Sequence, residues 1–259
     1  MCLIFVSLGS HPDYKLIVAA NRDEFYQRKT APAGYWQDHP DILAGRDLEA
    51  QGTWLGVTRS GRVSLLTNYR DPKNINPAAP SRGMLVSDYL AGQTSPLDYL
   101  NRVAATAKTY NGFNLMAGTA DELFYLSNYA PGVQAVPPGI HGLSNALLDT
   151  PWPKVVKGKK YFEELLSSSF STNQLFEFLY DDRRAADAEL PQTGIGLERE
   201  RALSSMFIKT DNYGSRCSTV ILVDRKNRIT FSERVYNTTD FTFSSKTFEF
   251  SVTPNEETK

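Results

Sequence analysis

The chain begins MCLIFV (residues 1–6), and this stretch predicts the first strand of the fold. Leu3 to Val6 are apolar, as in a strand that is buried on both faces. Cys2 follows the initiator directly, and its side chain is small enough for Met1 to be removed. Cys2 then carries a thiol and a free α-amine, with unperturbed pKa values of about 8.5 and 7.7–8.0. The amine can take the thiol proton as a built-in general base, which predicts an N-terminal nucleophile.

A structural interpretation of Cys2 stands beside this one. Free cysteine is among the residues most often buried, and it behaves there as a small apolar side chain. Cys2 can therefore simply open the first strand. Other residues have to decide between the two interpretations.

The composition is that of an ordinary globular chain of 259 residues, with 41% hydrophobic and 22% charged residues and a formal net charge of -1. This length can bury a substantial core. Without repeats or a composition break, we predict a single domain over residues 1–259. The near-zero charge lacks the basic surface that nucleic acids or anionic membranes attract, so neither is an expected partner.

Cysteine content and the N-terminal pattern bear on the compartment. The chain has two cysteines, Cys2 and Cys217, so a disulfide scaffold is not indicated and a reducing compartment is favoured. The apolar N-terminal run lacks a basic flank and ends at residues 9–13, too soon for a signal peptide or a membrane span. We predict a cytoplasmic protein without a membrane span. The sequence does not determine its oligomeric state.

Periodicity predicts strands and helices in separate runs. Gly, Pro and Asp residues bound the apolar segments as turns, and residues 30–42 and 71–80 are predicted to be irregular. The predicted strands are 3–8, 15–20, 54–58, 63–67, 113–118, 122–127, 141–145, 205–208, 217–223, 228–236 and 241–250. The predicted helices are 83–90, 96–109, 154–166 and 171–180. This order is typical of an α+β architecture with two antiparallel sheets between helical layers.

Polar residues 21–24, Asn-Arg-Asp-Glu, follow the second predicted strand. Arg22 beside a thiol would favour the thiolate, and Asp23 beside an α-ammonium would hold the amine. Adjacent residues of a strand point to opposite faces, so both reach one point only if the strand has ended or bulged. The alternative for this segment is a solvated turn that caps the next element.

Asn68-Tyr69 and Asn145 also follow predicted strands and suit an acyl-transfer site. A tetrahedral intermediate needs fixed donors around its oxyanion, and a side-chain amide with a backbone N–H supplies them. Turn formation is the alternative role for each asparagine. Arg216 would add a cation to this site or lie exposed in a turn, and Cys217 fits core packing.

Other site chemistries find no matching pattern. His11, His39 and His141 do not have metal-ligand spacing, and no cysteine–histidine set fits zinc, so no metal site is predicted. The sequence also has no phosphate-binding loop and no dinucleotide fingerprint.

Several separate motifs resemble those of the NRDE family, also called the transport and Golgi organisation protein 2 family. They extend over nearly the whole chain, so the chain is identified as a member. The motifs are NRDE (21–24), AGRD (44–47), GTWLGV (52–57), LTN (66–68), SRG (81–83), NGFNL (111–115), GLSN (142–145), PWPKV (151–155), YGSR (213–216), STV (218–220) and ER (233–234).

The resemblance implies the N-terminal nucleophile hydrolase fold, a four-layer αββα sandwich, and relatives among cysteine amidases that act on penicillin V and conjugated bile salts. It implies a catalytic set of Cys2, Arg22, Asp23, Asn68, Tyr69, Asn145 and Arg216. In this set Cys2 is the nucleophile and its amine the base, Asp23 holds the amine, and the two arginines orient the thiolate. Asn145 and the Tyr69 N–H form the oxyanion hole. The amidases separate their Arg and Asp by two residues, whereas Arg22 and Asp23 are adjacent.

The function expected from this resemblance is hydrolysis of a non-peptide C–N amide bond in a small molecule, without a cofactor. The alternative is a binding protein for haem or for an acyl-lipid or acyl-CoA ligand, as animal members are linked to haem trafficking and lipid metabolism. Cys2 or a histidine would then ligate haem iron. The loops at 30–40 and 71–80 are expected to wall the pocket, and their shapes decide the ligand.

Overall fold

Two antiparallel sheets with helices on their outer faces form residues 2–253, the part of the chain that the computed structural model describes. The strands are β1 (Cys2–Leu8), β2 (Tyr14–Phe25), β3 (Thr30–Tyr35), β4 (Ile42–Asp47), β5 (Leu55–Thr58), β6 (Val63–Asn68), β7 (Phe113–Gly118), β8 (Leu123–Ser127), β9 (Gln134–Ala135), β10 (Gly139–Leu143), β11 (Tyr213–Asp224), β12 (Arg228–Tyr236) and β13 (Phe243–Ser251). The helices are α1 (Gly83–Ala91), α2 (Pro96–Thr106), α3 (Pro153–Leu166), α4 (Thr172–Leu179) and α5 (Leu197–Ala202).

The first sheet has the strand order β10-β1-β2-β11-β12-β13, and the second has β3-β4-β5-β6-β7-β8-β9. Neighbouring strands are antiparallel in both sheets. β1 and β2 form the predicted N-terminal hairpin, and β11 from the far end of the chain pairs with β2. This pairing places Cys217 opposite Arg22, whose other neighbour across the sheet is Cys2.

Alternate residues of β1 and β2 fill two different cores, because side chains of a strand point to opposite faces. Ile4 and Val18 pack between the two sheets. Leu3, Phe5 and Ile17 pack instead under α3 and α4. Burial on both faces explains why these strands are apolar without interruption.

The second sheet is covered by α1 and α2 in the same way. Leu115 and Ala117 of β7 pack with Tyr89 and Leu100 of these helices. The layers are therefore helices, sheet, sheet, helices. This confirms the α+β prediction and the four-layer αββα sandwich.

Several segments differ from the sequence predictions: β4, β9 and α5 were not predicted, and two segments were assigned wrongly. Residues 30–42 were predicted to be irregular, but they contain β3, an edge strand whose register against β4 shifts between Ala31 and Gly34. The proline and glycine that suggested a loop are tolerated at such an edge bulge. The strand predicted at 205–208 is wrong: Ser205 Oγ donates to the Phe207 carbonyl at 2.7 Å, so a side chain takes the place of a strand partner.

The helix starts follow their sequence signals. Ser95 Oγ accepts a hydrogen bond from the Asp98 N–H at 3.2 Å, directly before the proline that begins α2. Ser171 and Gln174 form the predicted capping box of α4. No helix within residues 2–253 is long and apolar enough to cross a membrane.

Candidate active site

Cys2, Arg22 and Cys217 lie side by side on three neighbouring strands of the first sheet. The register pairs Cys2 with Arg22, and Arg22 with Cys217. All three are more than nine-tenths buried. Cys2 lies on the same face of β1 as Ile4 of the core between the sheets, so the row points toward the second sheet.

The Arg22 guanidinium is held by stacking and by charge. Its central carbon lies 4.3 Å from the ring centroid of Trp54, which leads into β5. Its Nη2 atom is 3.6 Å from Glu24 Oε2 and 3.7 Å from Asp47 Oδ2. Its Nη1 atom is buried without a hydrogen-bond partner among the residues described. A donor of the guanidinium is therefore left for another group.

The side chains of Asp23 and Arg22 point to opposite faces of β2, because the two residues are adjacent in the strand. β2 continues to Phe25, so the prediction that the polar segment 21–24 follows the strand end is wrong. Asp23 Oδ1 accepts a hydrogen bond from Ser215 Oγ at 2.6 Å, on the face covered by helices. Burial raises the pKa of the Asp23 carboxyl, and the nearby charge of Lys154 opposes this rise.

The Cys2 thiol lies in an environment that favours its protonated form. Burial raises its pKa, and the negative charge of Asp23 raises it further. The charge of Arg22 and a hydrogen bond from the Asp23 backbone N–H act in the opposite direction. Because the thiolate is not favoured in the resting structure, attack by Cys2 requires a base to take its proton.

Cys2 opens into a cleft of about 910 Å³. The loop at 71–80 lines it, as the sequence predicted, but residues 30–40 are not among the lining residues because they form β3 and its turn. Residues 195–203 and 210–213 supply that wall instead. Of the predicted catalytic residues, the lining includes Cys2, Arg22, Asp23, Asn68 and Tyr69.

The predicted oxyanion donors are engaged in other hydrogen bonds in this structure. The Tyr69 N–H donates to the Gly112 carbonyl at 2.9 Å. Asn145 Nδ2 donates to the Asn68 carbonyl at 2.9 Å, and Asn145 is not among the residues that line the cleft. The Asn68 side chain lines the cleft and makes no hydrogen bond to the residues described. The free amide is therefore that of Asn68.

Arg216 lies behind the cleft wall rather than in the cleft lining. The register of β11 against β2 shifts between Ser215 and Cys217, which leaves Arg216 as the extra residue of a bulge. Its Nη1 donates to the carbonyls of Phe25 at 3.0 Å and Arg28 at 2.9 Å. Arg216 therefore holds the turn that follows β2.

Lys154 was not predicted as a site residue, although it is the lysine of the PWPKV motif. It lies in the first turn of α3, is 4% exposed, and donates from Nζ to the Leu203 carbonyl at 2.9 Å. Burial lowers its pKa to about 8, and the charge of Asp23 opposes this.

We expect a Lys154→Met variant to have a free energy of unfolding that rises less with pH than that of the wild type. The folded chain holds Lys154 with a pKa of about 8, below its ordinary value of 10.5. The unfolded state therefore binds more protons between these values, so the free energy of unfolding rises with pH across this window. The full difference corresponds to about 3 kcal/mol, present as a penalty at lower pH.

Urea unfolding at neutral pH and at about pH 10 measures this effect. The raised pKa values of the buried Cys2 and Cys217 thiols lower the stability over the same interval in every variant, so the difference between variants is the measure. Lys154→Met should gain less stability with rising pH, or lose more, than the wild type. Lys160→Met, at an exposed position of the same helix, is the matched control and should keep the wild-type pH dependence. An unchanged pH dependence in Lys154→Met would contradict the assignment.

Comparison with known proteins places the chain in a family. The family model described as Transport and Golgi organisation 2 matches residues 1–238. The chain belongs to the Transport and Golgi organisation 2 family. The mouse "Transport and Golgi organization 2 homolog" is 37% identical over 275 residues, covering 97% of this chain and 99% of the mouse protein. The human "Transport and Golgi organization protein 2 homolog" is 36% identical over the same length, with the same coverage.

A solved structure relates this family member to a known fold. The mutant C2A of conjugated bile acid hydrolase from Clostridium perfringens superposes with a TM-score of 0.50 at 8% sequence identity. The match covers 98% of each chain. At this identity the likeness shows the fold alone, which is the N-terminal nucleophile hydrolase sandwich that the family resemblance implied.

Proposed function

We propose that the chain hydrolyses a C–N amide bond of a small molecule, with Cys2 as the nucleophile. The observation that carries the proposal is the position of Cys2, a buried thiol that opens into a cleft of about 910 Å³ beside the partly unpaired guanidinium of Arg22. The conjugated bile acid hydrolase with the same fold was crystallised as a C2A mutant, with its own second residue changed.

The reaction needs only the groups of a processed N-terminus. After removal of Met1, which lies outside the described residues, the Cys2 α-amine takes the thiol proton as sulfur attacks the amide carbonyl. The C–S bond forms, the tetrahedral intermediate collapses, and the C–N bond breaks as the amine leaves with that proton. Water then attacks the thioester with the same base and releases the acid and the Cys2 thiol.

The surrounding residues take the roles that their positions support. Arg22 orients the sulfur and offsets the burial that disfavours its thiolate. Asp23, which lines the same cleft as Cys2, holds the α-amine of the processed chain. The Asn68 amide is the donor that the oxyanion meets in the cleft, while Asn145 fixes the Asn68 backbone. Tyr69 would donate its N–H only after giving up the Gly112 carbonyl.

Intact mass and a substrate screen test the proposal together. The full chain is produced in cells with normal methionine processing, its mass is measured, and it is incubated with a panel of N-acyl amides of a fluorogenic amine. We expect loss of Met1 and release of the amine from at least one class of acyl group. The proposal would be overturned if the protein made in these cells kept Met1. It would also be overturned if the processed chain released the amine from none of the amides in the panel.

Haem as a ligand fits the cleft poorly. Among the described residues, three side chains of types that ligate haem iron line the cleft, those of Cys2, Tyr69 and Tyr213. Burial raises the pKa of the Cys2 thiol and of the Tyr213 hydroxyl, and so disfavours the ionised forms that bind iron. His141 is held by Asp149 at 2.7 Å and by the Pro137 carbonyl at 2.9 Å, away from the cleft. No group of three or more His, Cys, Asp or Glu side chains in residues 2–253 is arranged around a common metal position. A small acyl amide is therefore the partner that we propose, in the reducing cytoplasm that the two unpaired cysteines favour.

A further inference from the structure

The cleft contains a buried guanidinium, that of Arg70, with most of its donors unused. The Arg70 side chain is 6% exposed, and its Nη1 donates to Glu200 Oε2 at 2.9 Å. Its Nε and Nη2 atoms are buried and make no hydrogen bond to any residue within 2–253. Burial lowers the pKa of this arginine. A buried cation whose N–H groups make no hydrogen bonds lowers the stability of the fold. Such groups therefore indicate that an acceptor binds there.

The two unused atoms of Arg70 form one edge of the guanidinium. The same edge binds carboxylates elsewhere in this chain: Arg183 Nε and Nη2 donate to the two oxygens of Asp181 at 2.8 and 2.6 Å. Arg201 holds Asp187 at the same distances with the same atoms. Those forks are on the surface, whereas Arg70 is buried and is one of the residues that line the cleft. Such an edge matches two oxygens of a carboxylate or a phosphate.

Arg70 is held in place before any ligand arrives. Its guanidinium carbon lies 4.7 Å from the ring centroid of Trp152. Glu200, which binds its far side, is itself fixed through its other oxygen by the Thr193 N–H at 2.8 Å. The Arg70 backbone N–H donates to the Asn145 carbonyl at 2.7 Å. A donor pair fixed in this way loses little entropy when it binds an anion.

Arg22 adds a second unused cationic donor in the same cleft. Its Nη1 atom is buried without a partner among the described side chains and backbone groups, and it lies on the row that contains Cys2. Arg70 and Arg22 therefore both line the cleft into which the proposed nucleophile opens. Both cations therefore border the space that an anionic ligand of this cleft would occupy.

We propose that the Nε–Nη2 edge of Arg70 is a binding site for an anionic group, a carboxylate or a phosphate, on the small molecule that enters this cleft. The site exists whether or not the chain is a hydrolase. Where the ligand is the amide substrate, which rests on the proposed function, the anion belongs to a part of the substrate away from the scissile bond. The substrate class is then an anionic amide.

Direct binding tests the site without turnover. The full chain is titrated with inorganic phosphate and, separately, with acetate at constant ionic strength, and binding is followed by calorimetry and by the Arg70 side-chain Nε–H signal in NMR. We expect saturable binding of at least one probe with a shift of that signal. The stronger of the two identifies the anion as phosphate or carboxylate.

Arg70→Met should weaken binding of that probe by at least about tenfold, and Arg70→Lys should also weaken it, because lysine keeps the charge but lacks the fork. Arg234→Met is the matched control. Arg234 is also buried, also ion-paired, and also has an Nε without a partner among the described groups, but it is not among the residues that line the cleft. Its variant should bind the probe as the wild type does.

Circular dichroism of each variant comes first, and if Arg70→Met does not fold, Arg70→Lys and the wild-type NMR shift decide. The site is overturned if neither probe gives saturable binding, if the Arg70 signal does not move, or if Arg70 and Arg234 variants weaken binding equally. A chain that binds the probe but hydrolyses no amide refutes only the proposed function. A chain that hydrolyses uncharged amides and binds neither probe refutes only the anion site.

Discussion

A Cys2→Ala variant is expected to lose amide hydrolysis by about a thousandfold or more, because Cys2 is the thiol of the row that lines the cleft and can form the acyl intermediate. Cys2→Ser should lose almost as much, since a hydroxyl is a poorer nucleophile than a thiol at neutral pH. Both replacements leave a small second residue, so Met1 removal and the α-amine are retained. The measurement is kcat/KM on the best amide of the screen, with intact mass recorded for each variant.

Cys217 provides the matched control for this experiment. It lies in the same row, two strands from Cys2, and is equally buried, but it is not among the residues that line the cleft. Burial raises its pKa well above the ordinary value, so it carries no reactive thiolate. Cys217→Ala should keep kcat/KM near the wild-type value. Full turnover by Cys2→Ala, or an equal loss in both variants, would rule out Cys2 as the nucleophile.

A Phe5→Ala variant is expected to lower the free energy of unfolding by about 3–5 kcal/mol, the range for emptying a buried aromatic site. Phe5 is fully buried, and its ring centroid lies 5.1 Å from that of Phe178 and 5.9 Å from that of Phe162. These contacts fix β1, and therefore Cys2, against α3 and α4. Urea unfolding measures the change, with the exposed Leu48→Ala expected within about 0.5 kcal/mol of the wild type.

Gly158 gives a sharper test of the same contact. A Cβ atom at this position of α3 would lie 2.1 Å from Phe5 Cζ and 2.6 Å from Phe5 Cε1. Gly158→Ala alone should therefore cost about 1–3 kcal/mol by overpacking. When Gly158→Ala is added to the Phe5→Ala variant, it should instead raise the free energy of unfolding above that of Phe5→Ala alone. The cavity left by Phe5 accepts the methyl group, and alanine favours the helix by about 1 kcal/mol over glycine. Simple additivity of the two changes would show that the residues do not touch.

The sequence predicted the central strands of the two sheets better than it predicted the edge strand β3 and the buried loop at 205–208. Apolar runs such as 3–8 and 217–223 are long and bounded by turns, so their strand character does not depend on a particular neighbour. β3 depends on β4, and its proline and glycine carry no strand signal. Residues 206–208 are apolar and buried, and periodicity over so few residues does not distinguish a buried loop from a strand.

The site shows the same division. Residue order alone indicated Cys2 and Arg22, because antiparallel pairing of adjacent strands places them opposite each other. Lys154 and Arg70 stayed without a role, since a lysine or arginine in sequence carries no sign of how deeply it is buried. Their importance depends on Leu203 and Glu200, partners far along the chain.

By itself the sequence determined the family, the sandwich of two sheets, and a cysteine placed to become the first residue of a buried strand. These follow from local patterns and from motifs, which every stretch of the chain carries independently of its partners. The tertiary structure alone decided that Arg22 and Asp23 lie on opposite faces, that Arg216 is the bulge residue, and that Arg70, a residue of the cleft lining, keeps one edge of its guanidinium unpaired among the described residues. Each of these depends on which distant strand or loop comes to lie beside the residue, and such pairing is a property of the folded chain.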